Sequence, residues 1–231
     1  MLGTEKTEAE AAKRLDAFVD AAFAFALTLL IITGGLPPAT MADLALALGR
    51  IPAFAASFAL IILFWMQHRA FGRITARRDG WATGFSLGIV FVMLIYVFPL
   101  RLLAESTLHF VFGQRLPGRG LITSFADLRT LYMVYGLGFG LLAALFAGLF
   151  GAALRAPDIT ETGRIEAGLT VRIWTGIAVI GLLSILAAAF VPMSAAPWLP
   201  GSIYGVIPLA VWLLASRQPK AAVKVQAGVE A

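Results

Sequence analysis

The sequence predicts an all-α integral membrane protein with six transmembrane helices, and three observations carry that prediction. Hydrophobic residues make up 60% of the 231 positions and charged residues only 13%, with a mean hydropathy of +0.87. A soluble domain of this length needs far more polar surface. The apolar residues come in continuous runs of about 20, the length that crosses the hydrocarbon core as a helix, and not in the alternating pattern of a β-barrel. Finally, the lysines and arginines stand at the ends of those runs. The net charge of +5 therefore reads as a topology signal, and nucleic-acid binding is not expected. The chain has no cysteine, which excludes disulfides and thiolate metal sites.

Taken in order, the spans are 14–33, 44–67, 82–103, 130–154, 171–192 and 198–215. The first resembles a signal peptide at Lys13-Arg14, but Asp16 and Asp20 interrupt its apolar run and no small-residue cleavage site follows, so it reads as an uncleaved span. Gly34-Gly35-Leu36-Pro37-Pro38 ends it. Pro52 falls inside the second, which predicts a short interfacial helix over 44–51 and a span proper that begins at the proline. Pro208 predicts a kink in the sixth. The small residues Gly136, Gly140, Ala144, Gly148 and Ala152 recur every four positions in the fourth and predict close helix packing. Tyr135-Gly136-Leu137-Gly138-Phe139-Gly140 lies within that span, without the strand that a nucleotide-binding loop requires. The flanks at 1–13 and 216–231 read as short polar tails, and no soluble domain is expected.

Orientation follows from the basic residues. Lys6, Lys13 and Arg14 precede the first span. Arg69, Arg73, Arg77 and Arg78 fill the second connection, and Arg155, Arg164 and Arg172 the fourth. Arg217, Lys220 and Lys224 follow the last span, while the first and fifth connections have none. The positive-inside rule puts both termini in the cytoplasm, which implies a multi-pass protein of the cell inner membrane. Arg101, Arg115, Arg119 and Arg129 in the third connection are discordant. The arginines of the second connection are expected to meet anionic headgroups. Glu105 and His109 in the third are too few for a metal site.

The first span carries the most informative residues. At about 100° per residue, Arg14, Phe18, Ala21, Phe25, Leu29 and Ile32 share one face with Thr28 at its margin, and Asp16 and Asp20 fall on the opposite side. Apolar residues at this spacing are, by themselves, ordinary core or lipid-facing positions. Ionisable groups at membrane depth are costly and tend to be functional. Asp20 lies about 9 Å deeper than Arg14 and calls for a partner. Asp16 is expected at headgroup level. The second span ends in Trp65-Met66-Gln67-His68. A His68–Asp20 hydrogen bond and a plain interfacial role for Trp65 and His68 are both compatible with this.

Arg14, Phe18 and Asp20, then Phe23-Ala24-Phe25 and Thr28-Leu29-Leu30, followed in the second span by Ser57-Phe58 and by Trp65 with His68, and by Pro99 after the third, form a compound pattern. It resembles the transmembrane protein 175 family of endolysosomal potassium channels and their short prokaryotic single-repeat relatives. The family reads R-x-x-x-F-S-D and F-A-I-x-x-T-L-L in its first helix and W-x-x-H in its second. The resemblance covers about the first hundred residues in motif and the remainder in hydropathy. It implies one six-helix repeat and a homotetramer, with the first helices of four subunits lining a central pore for potassium. It implies a pore constriction at Phe25, Leu29 and Ile32, a pore hydroxyl at Thr28, and a bracing network of Arg14, Phe18, Asp20, Trp65 and His68. No cofactor or metal is implied. Three positions depart from the family pattern: Val19 stands for serine, Phe25 for isoleucine and Ser86 for asparagine.

The leading expectation is a potassium-preferring channel with a hydrophobic gate and passive flux, and not an enzyme, since no nucleophile–base pair lies in the spans. The alternatives are a proton-coupled transporter using Asp20 and His68, which the missing repeat between residues 1–103 and 130–215 disfavours, and a non-conducting membrane scaffold.

Overall fold

The computed structural model describes residues 2–35, 37–76, 78–112, 122 and 124–216, and all of the regular structure among them is helical. Helix α1 runs Leu2–Ile32, α2 Met41–Gly49, α3 Ile51–Ile74, α4 Gly80–Val111, α5 Phe125–Ala153 and α6 Glu161–Phe190. A short helix α7 (Leu199–Ser202), a 3-10 turn (Ile203–Val206) and helix α8 (Ile207–Ser216) complete the described chain. Among the described residues, five helices are long and apolar enough to cross a membrane.

Several expected boundaries move, each for a physical reason. The residues expected as an N-terminal tail continue α1 back to Leu2. The second span ends at Ile74, not at residue 67, because the buried period Ile61, Phe64, His68, Phe71, Ile74 continues through the polar residues. Arg69 and Arg73 therefore lie on α3 and not in a connection. The third helix persists past residue 103 to Val111. That brings Arg101, Glu105 and His109 onto α4, where they were expected in a loop. The 130–154 span starts earlier, at Phe125, where Ser124 and Asp127 form a reciprocal capping box. The 171–192 span starts ten residues earlier at Glu161, behind an N-cap at Thr160. Arg77, Arg115, Arg119, Arg217, Lys220 and Lys224 lie outside the described residues.

The proline expectations correspond to observed features. Pro52 sits in the first turn of α3, where its missing N–H costs nothing. It is preceded by the short helix α2, which Thr40 and Asp43 cap reciprocally and which has no buried residue. The Thr40 hydroxyl and amide hold the Asp43 carboxyl below its usual range. Near Pro208 the last helix is broken. The nitrogen of Pro208 cannot donate to the Tyr204 carbonyl four residues back, and the Ile207 amide takes that carbonyl in a 3-10 turn instead.

Helices α1, α3, α4, α5 and α6 all contribute buried residues to one core. Phe64 is fully buried. Its ring stacks on Phe146 at 5.8 Å and on Trp174 at 5.9 Å, and meets Phe139 edge-on at 6.0 Å. In a bilayer, helices gain little from hiding apolar surface, so close fit does the packing. The α5–α6 seam shows this: a β-carbon on Gly181 would lie 3.0 Å from the Gly140 Cα and 3.2 Å from the Gly136 carbonyl. The small stripe thus serves packing, but it faces two partners, because the Phe85 ring of α4 fills the space beside Gly148.

Candidate functional site on the first helix

Helix α1 has two unlike faces. Ala12, Val19, Phe23, Ala26 and Leu30, spaced mostly by three and four, are buried against the bundle. Across the helix, Phe18, Ala21, Ala24, Phe25, Thr28, Ile31 and Ile32 are open. Phe18, Phe25 and Ile32 repeat every seven residues and are 53%, 55% and 64% exposed. On a helical projection the open face is centred near Ala21 and Thr28, roughly 50° from Phe25. Thr28, read as marginal from the sequence, therefore lies mid-face, while Leu29 is half-buried and leans against the core. The Thr28 hydroxyl donates to the Ala24 carbonyl at 3.2 Å, which leaves its oxygen lone pairs turned outward.

Behind this face, polar groups tie α1 to its neighbours. Trp65 donates its Nε1 proton to Asp20 Oδ1 at 2.8 Å, and its ring lies under the Arg69 guanidinium at 5.0 Å. His68 is buried and its Nε2 is 3.0 Å from Ser86 Oγ. Of the two readings left open for His68, the bond to Asp20 is not formed: Trp65, one turn before His68, reaches Asp20, and His68 turns to α4. Ser86, at the position where the family commonly has asparagine, is that partner. Ser57 is also buried and donates back to the Ala53 carbonyl at 3.0 Å. Of the residues assigned to the bracing network, Trp65, Asp20 and His68 thus lie on α1–α3–α4 contacts. Phe18 and Arg14 do not: both are exposed, and Phe18 shares the open face with Phe25, two turns away.

A second tie was not anticipated. Arg78, just after α3, grips Asp16 with both arms of its fork, Nε to Oδ1 at 3.0 Å and Nη2 to Oδ2 at 2.9 Å. It also donates Nη1 to the Thr75 carbonyl at 2.8 Å and lies over the Phe71 ring at 4.8 Å. The Thr75 hydroxyl reaches both oxygens of Asp158 at 3.2 Å, joining the α5–α6 connection to the same cluster. Arg78 and Asp16 were expected at headgroups. Instead they neutralise each other, because a bidentate fork holds a carboxylate better than water-exposed lipid phosphate holds a lone arginine. The sequence signal for it was Asp16, the outer of the two carboxylates on the rear of α1. Arg78→Met is expected to lower stability by about 1–2 kcal/mol. That is less than for a fully buried pair, because the Asp16 side chain keeps 40% of its exposure. Thermal unfolding in detergent micelles measures the loss, and Asp16→Asn in the same background should add little.

At the other end of α1, Arg101 and Glu105 form a buried pair one turn apart on α4, with Nε to Oε1 at 3.0 Å. Arg101 Nη1 also donates to the Leu30 carbonyl of α1. Glu105 is thus engaged by Arg101. Its neutralised partner explains why an arginine that looked discordant in an outer connection sits inside a span.

Residues 14–99 match the family described as endosomal/lysosomal potassium channel TMEM175. A potassium channel of Marivirga tractuosa is 30% identical over 162 residues, covering 66% of this chain and 64% of that protein. A potassium channel of Chamaesiphon minutus is 33% identical over 113 residues, 46% of this chain and 55% of that one. The chain therefore spans less than two thirds of the length of these curated relatives. Among solved structures, a variant of the potassium channel MtTMEM175, crystallised with a nanobody–MBP fusion protein, superposes with a TM-score of 0.77 at 24% identity, over 88% of this chain and 91% of that one. A structure described as a lysosomal potassium-selective channel TMEM175 homolog from Chamaesiphon minutus gives 0.60 at 24% identity, over 90% and 98%. At that identity the likeness is one of fold.

Proposed function

We propose, for a chain that is a member of the TMEM175 family, a potassium-preferring cation channel with passive flux, a conduit and not an enzyme. In this reading four copies assemble as a homotetramer in the cell inner membrane, each a single repeat over 14–215 between cytoplasmic tails at 1–13 and 216–231. The broken apolar segment from Leu199 to Ser216 is the sixth crossing, and the first helices surround the conduction axis.

The observation that carries the proposal is the open face of α1. The helix that holds the family motif is packed on one side by Val19, Phe23, Ala26 and Leu30, and leaves Phe18, Phe25, Thr28 and Ile32 uncovered by its own chain. An apolar stripe with a single outward hydroxyl oxygen suits a pore wall. Phe25 and Ile32 form the hydrophobic constriction and gate by dewetting, with Leu29 shaping it from the side. Thr28 offers an acceptor to an ion that has shed part of its water. Potassium holds its hydration shell less tightly than sodium, which sets the direction of preference. Asp20, Trp65 and His68 brace the helix from behind, while Arg14 and Phe18 lie toward the cytoplasmic mouth. Asp20 and His68 have separate partners, Trp65 and Ser86, which favours the channel over a proton-coupled transporter that needs them joined.

The test is a planar bilayer holding the purified protein, with potassium on one side and sodium on the other. The channel reading expects a current whose reversal potential is displaced toward potassium. A saturable flux that follows a proton gradient would favour the transporter, and silence toward both cations would favour the scaffold.

A further inference from the structure

We propose that Arg101 is a positioning residue: it anchors the last turn of α1 by supplying a hydrogen bond that the helix itself gives up. Its consequence for conduction rests on the channel reading above, but the anchor itself is argued from this chain alone.

The helical ladder breaks at Leu30. The amide four residues on, Gly34, turns away to the Ile31 carbonyl at 2.9 Å, so the Leu30 carbonyl loses its intrahelical amide. A carbonyl left bare within a span costs free energy. Two side chains replace the amide: the Thr33 hydroxyl at 2.8 Å and Arg101 Nη1 from α4. A cation at a helix C-terminus also meets the negative end of the macrodipole. The Arg101 side chain is 7% exposed and its counter-ion Glu105 is 1% exposed. A buried ion pair in a membrane is expensive and needs a reason to persist. An arginine fork has enough donors to hold a carboxylate and a carbonyl together, and here it does both.

Position 34 is matched to this contact. A β-carbon on Gly34 would fall 2.8 Å from both Nη1 and Nη2 of Arg101, so a side chain here would push the guanidinium off its present place at the helix end. Arg50, between α2 and α3, adds a longer contact of 3.4 Å to the Gly34 carbonyl. Leu30 is buried and Ile32, two residues on, is 64% exposed. Holding the Leu30 carbonyl therefore sets the rotation of the turn that presents Ile32 to the open face.

The chain has no native cysteine, so a spin label on Ile32→Cys reports that turn in the full protein in liposomes, with a label on Val179→Cys of α6 as a remote control. Two backgrounds remove the anchor differently. Arg101→Gln with Glu105→Gln removes both charges together and leaves neither unpaired. Gly34→Ala keeps both charges and crowds the guanidinium, together with the Ile31 carbonyl 2.9 Å from the new β-carbon. In each, the label at Ile32→Cys is expected to become severalfold more mobile while that at Val179→Cys is unchanged, and the potassium-over-sodium permeability ratio falls by about threefold or more. Arg101→Lys, which keeps a cationic donor, should recover part of both. An Ile32→Cys label as ordered as in the parent protein in both backgrounds, or equal loosening at both labels, would overturn the proposal. Absence of current in the parent protein would instead count against the channel reading, while the label comparison still decides the anchor.

Discussion

Phe25→Ala is expected to raise potassium flux by about tenfold or more and to narrow the gap between potassium and sodium. In the proposed tetramer, four phenyl rings facing one axis would form a wider apolar collar than aliphatic side chains do, and such a collar resists wetting. Trimming it to methyl groups shortens the dry stretch an ion must cross. A tenfold rise needs only about 1.4 kcal/mol off the barrier, a small part of what partial dehydration costs. The fold should survive, because Phe25 is 55% exposed within its own chain. Phe25→Leu is expected to fall between the two. Single-channel conductance and bi-ionic reversal potentials, measured on tetramers confirmed by mass, check both parts. Unchanged conductance in both variants would move the constriction away from this residue.

The second large effect is on stability. Phe64→Ala is expected to destabilise the protein by about 2–4 kcal/mol. The ring is fully buried, stacked on Phe146 and Trp174 and edge-on to Phe139. In water such a truncation costs both a transfer term and a cavity term. Inside a bilayer the transfer term is small, since lipid is as apolar as the core, and the cavity and lost dispersion contacts dominate. Three aromatic neighbours held by two other helices, Phe139 and Phe146 on α5 and Trp174 on α6, cannot collapse into the gap. Phe64→Leu should recover about half of the loss. Thermal or denaturant unfolding in mixed micelles reads it, and a loss below about 1 kcal/mol would show that the core relaxes around the missing ring.

Membrane character and helical class were legible in the sequence because hydropathy acts on whole segments. The break before Pro208 and the start of α3 near Pro52 were legible because proline acts locally and without regard to partners. Helix ends were not, because the polar residues that terminate an apolar run are the ones tertiary contacts can neutralise. His68 is absorbed by Ser86, and Arg101 by Glu105 and the end of α1, so both helices run on past the point where hydropathy stops. The motif named Asp20, Trp65 and His68 without pairing them, and the structure pairs Asp20 with Trp65 and His68 with Ser86. Helical spacing places Trp65 and His68 on one side of α3 without saying which reaches α1. The Asp16–Arg78 tie joins residues 62 apart through a loop, and no local pattern marks it. The 50° shift of the open face from Phe25 toward Thr28 has the same origin. Spacing defines a stripe, but only the neighbours decide how much of it they cover.

The most direct test of the central claim is a single-cysteine scan of α1 from Phe18 to Ile32 in the cysteine-free background, with a small positively charged thiol reagent applied during current recording. Block is expected with a helical period, strong at positions 18, 21, 25, 28 and 32 and absent at the buried positions 19, 23, 26 and 30. Block at the buried set, or without any helical period, would contradict the assignment of this face to the ion pathway.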